Sequence, residues 1–227
     1  STDGQEMEAS AFLTTDNQWR LHISRLKKYT EYTVKAFAEN RNGRTYSEPY
    51  RFCTSDAVTL VDAGMLPEII GEDGKGDYTQ LSIAGPLNGT DIRFIREMCG
   101  KDVRGNRTQG QLQKLDLTDA LIVAGGLSYD ESRYTTEYTI GNGMFGELDI
   151  PTEIKLPENT LVIEQNAFRN CTSLTALSIP GSTKELTPSS GCCHLEHLSV
   201  ITGNSEYSSV DGVVYSKDGE VLVWFPE

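Results

Sequence analysis

One arrangement of apolar positions recurs through the last two-thirds of the chain: apolar, two residues, apolar, one residue, apolar. Leu112-Gln-Lys-Leu115-Asp-Leu117, Leu174-Thr-Ala-Leu177-Ser-Ile179 and Leu195-Glu-His-Leu198-Ser-Val200 fit it. Tyr78-Thr-Gln-Leu81-Ser-Ile83 and Pro151-Thr-Glu-Ile154-Lys-Leu156 are looser copies. The final apolar positions (83, 117, 156, 179 and 200) are separated by 34, 39, 23 and 21 residues. The last two spacings fall within the roughly 20–29 residues of a short solenoid repeat, and the first two carry insertions. Other columns agree in register. Phe145 and Phe168 stand eleven residues before Leu156 and Ile179, and Cys171 and Cys192 stand eight before Ile179 and Val200. Each stretch predicts a short strand with inward side chains at period two. One such strand buries two or three aliphatic groups worth about 1.5–3 kcal/mol each. That is less than the ordering entropy of the roughly twenty residues in its coil. The coils must therefore stack in parallel under capped ends, with Leu115, Ile154, Leu177 and Leu198 side by side.

The flanking segments predict the caps. An N-terminal cap is expected over about 57–76, with Ala63–Ile70 as its lid. Apolar residues at 92, 94, 95 and 98 predict an inserted helix over Asp91–Met98, with Asp91 as N-cap and Gly100 near its stop, on the convex side. At the other end, about 207–226, strand-like Val213–Tyr215 and Val221–Phe225 flank a turn at Asp218-Gly219, which predicts a hairpin at the open edge. Residues 1–56 differ in character: Thr33–Ala38 alternates as a strand, Asn40–Gly43 supplies a turn, and Thr45–Phe52 returns. Leu26–Tyr32 reads like the tyrosine corner of a β-sandwich, with Tyr32 as its structural residue, although a whole sandwich needs about 100 residues.

These residues carry a resemblance. Ile163-Glu-Gln-Asn-Ala-Phe168-Arg-Asn-Cys171-Thr-Ser-Leu174-Thr-Ala-Leu177-Ser-Ile179-Pro180 resembles the BspA-type (treponemal) leucine-rich repeat of bacterial surface proteins. The stretch Ser209–Gly219 resembles the element that commonly follows such repeats, and residues 26–54 resemble the end of a fibronectin type III module. The fold implied is mainly β with short helices: a leucine-rich-repeat solenoid at 57–227 preceded by a partial immunoglobulin-like β-sandwich at 1–56. The resemblance also implies export to the cell surface, outer membrane or extracellular space, often as a lipoprotein anchored upstream. The activity it implies is adhesion to a protein or matrix component. Two rival readings are an accessory glycan-binding module of a surface polysaccharide-acquisition system and a structural spacer. The repeat ending at Val200 departs from the pattern, with Ser189 where Phe168 stands.

Charge narrows the partners. The net charge is −13, and it is uneven. Residues 1–56 carry eight Lys/Arg and eight Asp/Glu, whereas 57–227 carry 12 and 25. Such a surface repels phosphate backbones, so nucleic acid is not an expected partner. The acidity serves solubility or a cationic partner. No stretch of about 18 apolar residues predicts a transmembrane helix, and no basic-then-apolar leader opens the chain.

Candidate chemistry is sparse. There is no G-x-S-x-G, H-E-x-x-H or Gly-rich phosphate loop, so no catalytic residue and no cofactor are expected. Cys192, Cys193, His194 and His197 offer ligand types for zinc, but Cys192 and Leu195 are already repeat positions, and a metal is not expected. Cys171 and Cys192 share a column close enough for a disulfide; the simpler reading is a ladder of buried thiols. Glu72–Asp77 lacks the acid spacing of a calcium loop and reads as a glycine turn. Asn88-Gly-Thr90, Asn106-Arg-Thr108 and Asn170-Cys-Thr172 spell glycosylation sites by chance. The insertion Leu127–Tyr138 is the candidate ligand-binding element. Its Tyr129, Tyr134 and Tyr138 are rigid, amphipathic contact groups, against the simpler reading that they cover the flank of the stack. Trp19, Tyr46 and Tyr50 are weighed the same way. The residues expected to build the repeat are Leu81, Ile83, Leu115, Leu117, Phe145, Ile154, Leu156, Phe168, Cys171, Leu174, Leu177, Ile179, Cys192, Leu195, Leu198 and Val200.

Overall fold

A computed structural model describes residues 12–13, 19–20, 31–41, 43–53, 57–130 and 132–226. The protein is mainly β with few short helices, and it divides into two compact units, Ser1–Asp56 and Ala57–Glu227.

In the first unit the described residues form three antiparallel pairs: Phe12–Leu13 with Trp19–Arg20, Glu31–Val34 with Tyr50–Cys53, and Phe37–Asn40 with Gly43–Tyr46. The strand expected over Thr33–Ala38 is broken at Lys35–Ala36. Its partner is broken at Ser47–Pro49, where proline removes a ladder donor. Ser47 bridges the break: its N–H donates to Ala36 O at 2.8 Å, and its hydroxyl accepts from Ala36 N at 3.0 Å. Residues 26–30 of the expected tyrosine corner lie outside the described residues.

The second unit is organised by a parallel sheet. Gln80–Leu87, Lys114–Asp116, Glu153–Lys155, Ala176–Ile179 and His197–Val200 follow one another, and Ala57–Thr59 and Ala120–Ile122 also pair with Gln80–Leu87. The register places Leu81 beside Leu115, Leu115 beside Ile154, Ile154 beside Leu177 and Leu177 beside Leu198. All five are no more than 2% exposed. A second parallel sheet, Thr139–Ile140, Val162–Ile163 and Glu185–Leu186, aligns Ile140, Ile163 and Leu186 in another buried column. At Gly85 the long strand bends with φ near +92°, and a Cβ there would fall 2.1 Å from Leu60 O. Only glycine fits that approach.

Side chains in the turns form further columns. Phe145 and Phe168 stack with centroids 5.8 Å apart and planes 15° apart. The Cys171 thiol donates to Phe145 O at 2.9 Å, and the Cys192 thiol donates to Phe168 O at 3.1 Å. Both sulfurs are thus hydrogen-bonded thiols stitching one coil to the one before. Ser189, at the next phenylalanine position, is buried and accepts from Phe168 N at 3.1 Å. The departure from the repeat thus ends the aromatic column on a backbone hydrogen bond. Leu117, Leu156, Leu174, Ile179 and Leu195 are buried, and Val200 is half-buried against the core. Asn204 closes the last coil. Its amide donates to Pro180 O and Thr183 O, each at 3.0 Å, and its oxygen accepts from Glu206 N and Tyr207 N, each at 2.8 Å.

At the N-terminal end, a short helix at Leu66–Ile70 and a 3-10 turn at Glu72–Gly76 form the lid. The stretch expected as a plain glycine turn is therefore helical. The inserted helix spans Gly89–Met98 and begins at Asn88, whose side chain accepts from Thr90 N. Asn88 therefore replaces Asp91 as the N-cap. Asp91 sits three residues in and reaches back to Asn88 N, completing a capping box. Its carboxylate also accepts from Gly64 N and Leu66 N, so one buried acid caps this helix and holds the lid. Burial pushes the Asp91 carboxyl up, against the backbone N–H bonds that pull it down. Arg96, 5% exposed, donates through one nitrogen to the carbonyls of Gly143, Met144 and Gly146 at 3.0–3.1 Å. A charge at this depth persists because backbone oxygens replace its water.

The C-terminal cap is larger than the expected hairpin. Tyr207–Val210, Val213–Ser216 and Leu222–Trp224 form a three-stranded antiparallel meander. Its first turn, Asp211-Gly212, takes positive φ at both residues, +50° and +79°, the pattern of a two-residue hairpin turn matched to strand twist.

Candidate binding surfaces

The stack presents its outward strand positions as rows. One runs Gln80, Lys114, Glu153, Ala176, His197, and the other Ser82, Asp116, Lys155, Ser178, Ser199. These groups largely satisfy one another. Lys155 Nζ is 2.9 Å from Asp116, Lys114 Nζ is 3.9 Å from Glu153, and the hydroxyls of Ser178 and Ser199 are 3.0 Å apart. Burial raises the Asp116 carboxyl, but hydrogen bonds from Thr118 and Lys155 outweigh it and leave the group below the usual carboxylate range. The described rows carry no Phe, Tyr or Trp side chain.

The tyrosines of the 127–138 insertion do not act together. The loop is anchored by a bridge between Gly125 and Thr135 and by Leu127 N donating to Thr90 Oγ1 at 3.0 Å. Asp130 accepts from the backbone N–H groups of Ser132 and Arg133 and turns the chain inward. Tyr129 is consequently 1% exposed, with its hydroxyl donating to Asn142 O at 3.0 Å. Burial pushes that phenol up to about 12. Its expected role in ligand contact is therefore corrected: Tyr129 is a core residue. Tyr134 and Tyr138 remain on the surface, 62% and 38% exposed, with Leu127 at 54% and Leu161 at 40%. Tyr138 takes a left-handed conformation, φ +55°, and its carbonyl accepts from Leu161 N at 2.8 Å. That bond connects the end of the insertion to the next coil. Neither Leu127 nor Leu161 falls on a periodic position, so the spacing of the repeat marks neither as a surface group. In the first unit, Tyr46 and Tyr50 are 56% and 70% exposed.

The other clusters are internally paired. Lys75 bonds both Glu72 and Glu97 beside the lid, with its ammonium 4.7 Å from the Phe94 ring centre. Arg107 pairs with Asp149 at 2.7 Å. The Cys192–His197 stretch is divided by packing: Cys192 is buried, whereas Cys193, His194 and His197 face outward. His194 Nδ1 lies 2.6 Å from Thr172 O. Among the described residues no three His, Cys, Asp or Glu side chains converge to hold a metal ion. No described helix is long and apolar enough to cross a membrane.

Comparison with curated proteins gives no match. Solved structures similar to this chain include two bacterial leucine-rich repeat proteins. One is a leucine-rich repeat protein from Eubacterium ventriosum, with TM-score 0.41 and 13% identity, covering 87% of this chain and 51% of that one. The other is a leucine rich cell surface protein from Faecalibacterium prausnitzii, with TM-score 0.36 and 14% identity, covering 88% of this chain and 62% of that one. This chain thus spans about half to three-fifths of the length of those proteins. The family match covers the C-terminal part of the stack: residues 134–213 match the family model of the BspA type leucine rich repeat region (6 copies).

Proposed function

We propose that the chain is a non-enzymatic binding module of an exported cell-surface protein, with residues 57–227 forming a leucine-rich-repeat solenoid behind a partial fibronectin type III-like segment. The module holds a protein or matrix partner by extended, non-covalent contact. The observation that carries this reading is the match of residues 134–213 to BspA-type repeats, a family of typically surface-associated or secreted and non-enzymatic proteins. The in-register strands support it, since they display repeated outward rows, and the exposed Tyr134 and Tyr138 offer rigid contact groups beside them. Export and an upstream lipid anchor belong to the same reading.

The test is a binding panel of immobilised matrix proteins run beside a glycan array, with wild type, Tyr134→Ala and Tyr138→Ala. The expected result is binding to a protein component that free sugars do not displace and that either substitution weakens about tenfold, or 1.4 kcal/mol. Glycan binding lost on the same substitutions would replace this reading with the glycan-module one. Binding in neither assay would favour a spacer.

A further inference from the structure

The C-terminal meander is packed on one face only. Inward, Val214 and Trp224 are buried. Ser209 Oγ accepts from Val200 N at 2.9 Å, and the Tyr207 hydroxyl accepts from Leu186 N at 3.1 Å. An antiparallel sheet with one face in water normally alternates polar residues outward. This one does not. The register sets Val210 beside Val213 and Tyr215 beside Leu222. The irregularity at Val214/Tyr215 lets Leu222 face outward while Trp224 faces in. Val210, Val221, Leu222 and Phe225 are 61%, 58%, 57% and 62% exposed. Single exposed apolar residues are ordinary; two on this small sheet, Val210 and Leu222, with Val221 and Phe225 at the ends of its last strand, form a patch of the kind that marks an interaction site.

The surroundings select the occupant. Along the meander, Asp211, Asp218 and Glu220 in and beside its two turns stand against one cation in the same stretch, Lys217. The whole of 57–227 carries 25 acids against 12 bases. Like charge of this size opposes a second copy or an acidic partner, and it attracts a basic one. Leu222–Trp224 is also the outer strand of the meander and pairs with no further strand among the described residues, so it can accept an added strand. The geometry points to this outer face as a docking surface for a basic, amphipathic, extended segment of a partner protein. Its apolar side chains cover Val210, Leu222 and Phe225, and its lysines or arginines reach Asp211, Asp218 and Glu220. This holds whatever the 127–138 loop binds.

Fluorescence anisotropy tests it with three labelled probes: a peptide of about eight residues alternating valine and lysine, its valine–glutamate counterpart, and oligolysine. The valine–lysine peptide is expected to bind at least about tenfold tighter than either control and to weaken as salt is raised. Val210→Ser/Leu222→Ser/Phe225→Ser weakens it at least about tenfold with little change in melting temperature, because the replaced groups face water. Asp211→Asn/Asp218→Asn/Glu220→Gln leaves the apolar patch and both turns in place, lowers affinity and removes most of the salt dependence; if the serine variant melts early, this variant decides. Equal binding of oligolysine or of the valine–glutamate peptide overturns the proposal, as does no binding of the valine–lysine peptide at about 1 mM. Dimerisation of the chain that the serine variant abolishes also overturns it, by making a second copy the occupant.

Discussion

Replacing Asn204 by leucine removes four hydrogen bonds while keeping the number of side-chain heavy atoms. Asn204 is 1% exposed and uses its full capacity: two donors to Pro180 O and Thr183 O, and two lone pairs accepting from Glu206 N and Tyr207 N. After substitution Pro180 O keeps the N–H of Thr183, and Glu206, on the surface, recovers water. Thr183 O and Tyr207 N are left without partners. Each buried orphan costs about 1–3 kcal/mol, which puts Asn204→Leu at about 2–6 kcal/mol. Asn204→Asp keeps the two accepted bonds and turns a carboxylate oxygen toward two carbonyls, so at neutral pH it should cost more than leucine. Its native-state pKa is then raised above the unfolded value of about 3.9. The folded form takes up a proton first, so the deficit shrinks as pH falls from 7 toward 4, whereas the leucine deficit does not. Urea titration followed by Trp224 fluorescence in a Trp19→Phe background reads both effects at the meander. Coils couple only to their neighbours, so the Trp224 transition should precede the loss of far-UV circular dichroism. A leucine cost below about 1 kcal/mol, or an aspartate deficit independent of pH, would refute the claim that this amide holds the last coil to its cap.

Other outcomes follow from the same packing. Arg96→Met leaves the carbonyls of Gly143, Met144 and Gly146 without their shared donor; a loss of about 3–5 kcal/mol is expected, with Arg96→Lys intermediate, measured by urea denaturation. Burial pushes the Cys99 thiol up to about 12 and raises Cys171 further, while Cys193 is exposed. Iodoacetamide at pH 8 followed by peptide mass spectrometry should therefore modify Cys193 and spare Cys99, Cys171 and Cys192 until the chain is unfolded. Asp116 and Asp130 are each raised by burial and lowered more by hydrogen bonds, from Thr118 and Lys155 in the first case and Ser132 and Arg133 in the second. Their stabilising contribution is complete above the unfolded value and is lost as pH falls through the lower folded ones. Melting temperature should thus drop below about pH 4, and less so in Asp116→Asn/Asp130→Asn.

The column from Leu115 to Leu198 is legible in the chain because three apolar positions repeat at constant offsets, with a phenylalanine shared by the coils of Ile154 and Leu177 and a cysteine shared by those of Leu177 and Leu198. The column of Ile140, Ile163 and Leu186 is not. Its strands are two residues long, too short to show alternation. Asp91 reads as a cap because the apolar run starts at Ile92, yet Gly89 and Thr90 extend the helix by one polar turn back to Asn88. The three tyrosines of the insertion look alike in sequence. Only the turn at Asp130 separates buried Tyr129 from exposed Tyr134, and an irregular loop has no period that would reveal it. Asp211-Gly212 did carry a turn signal, and the strand before it, Tyr207–Val210, is visible once that signal is read. The apolar outer face of the meander depends on a register irregularity that no single strand displays.

The constant register makes the sheet a ruler. Ser82, Asp116, Lys155, Ser178 and Ser199 stand one above another at a pitch of about 4.8 Å set by backbone hydrogen bonding. Adding or deleting one whole coil shifts the far end by one division and changes the number of available marks by one, while every mark already present keeps its neighbours. The reach of such a sheet is therefore set by counting coils, with no redesign of the side chains that remain.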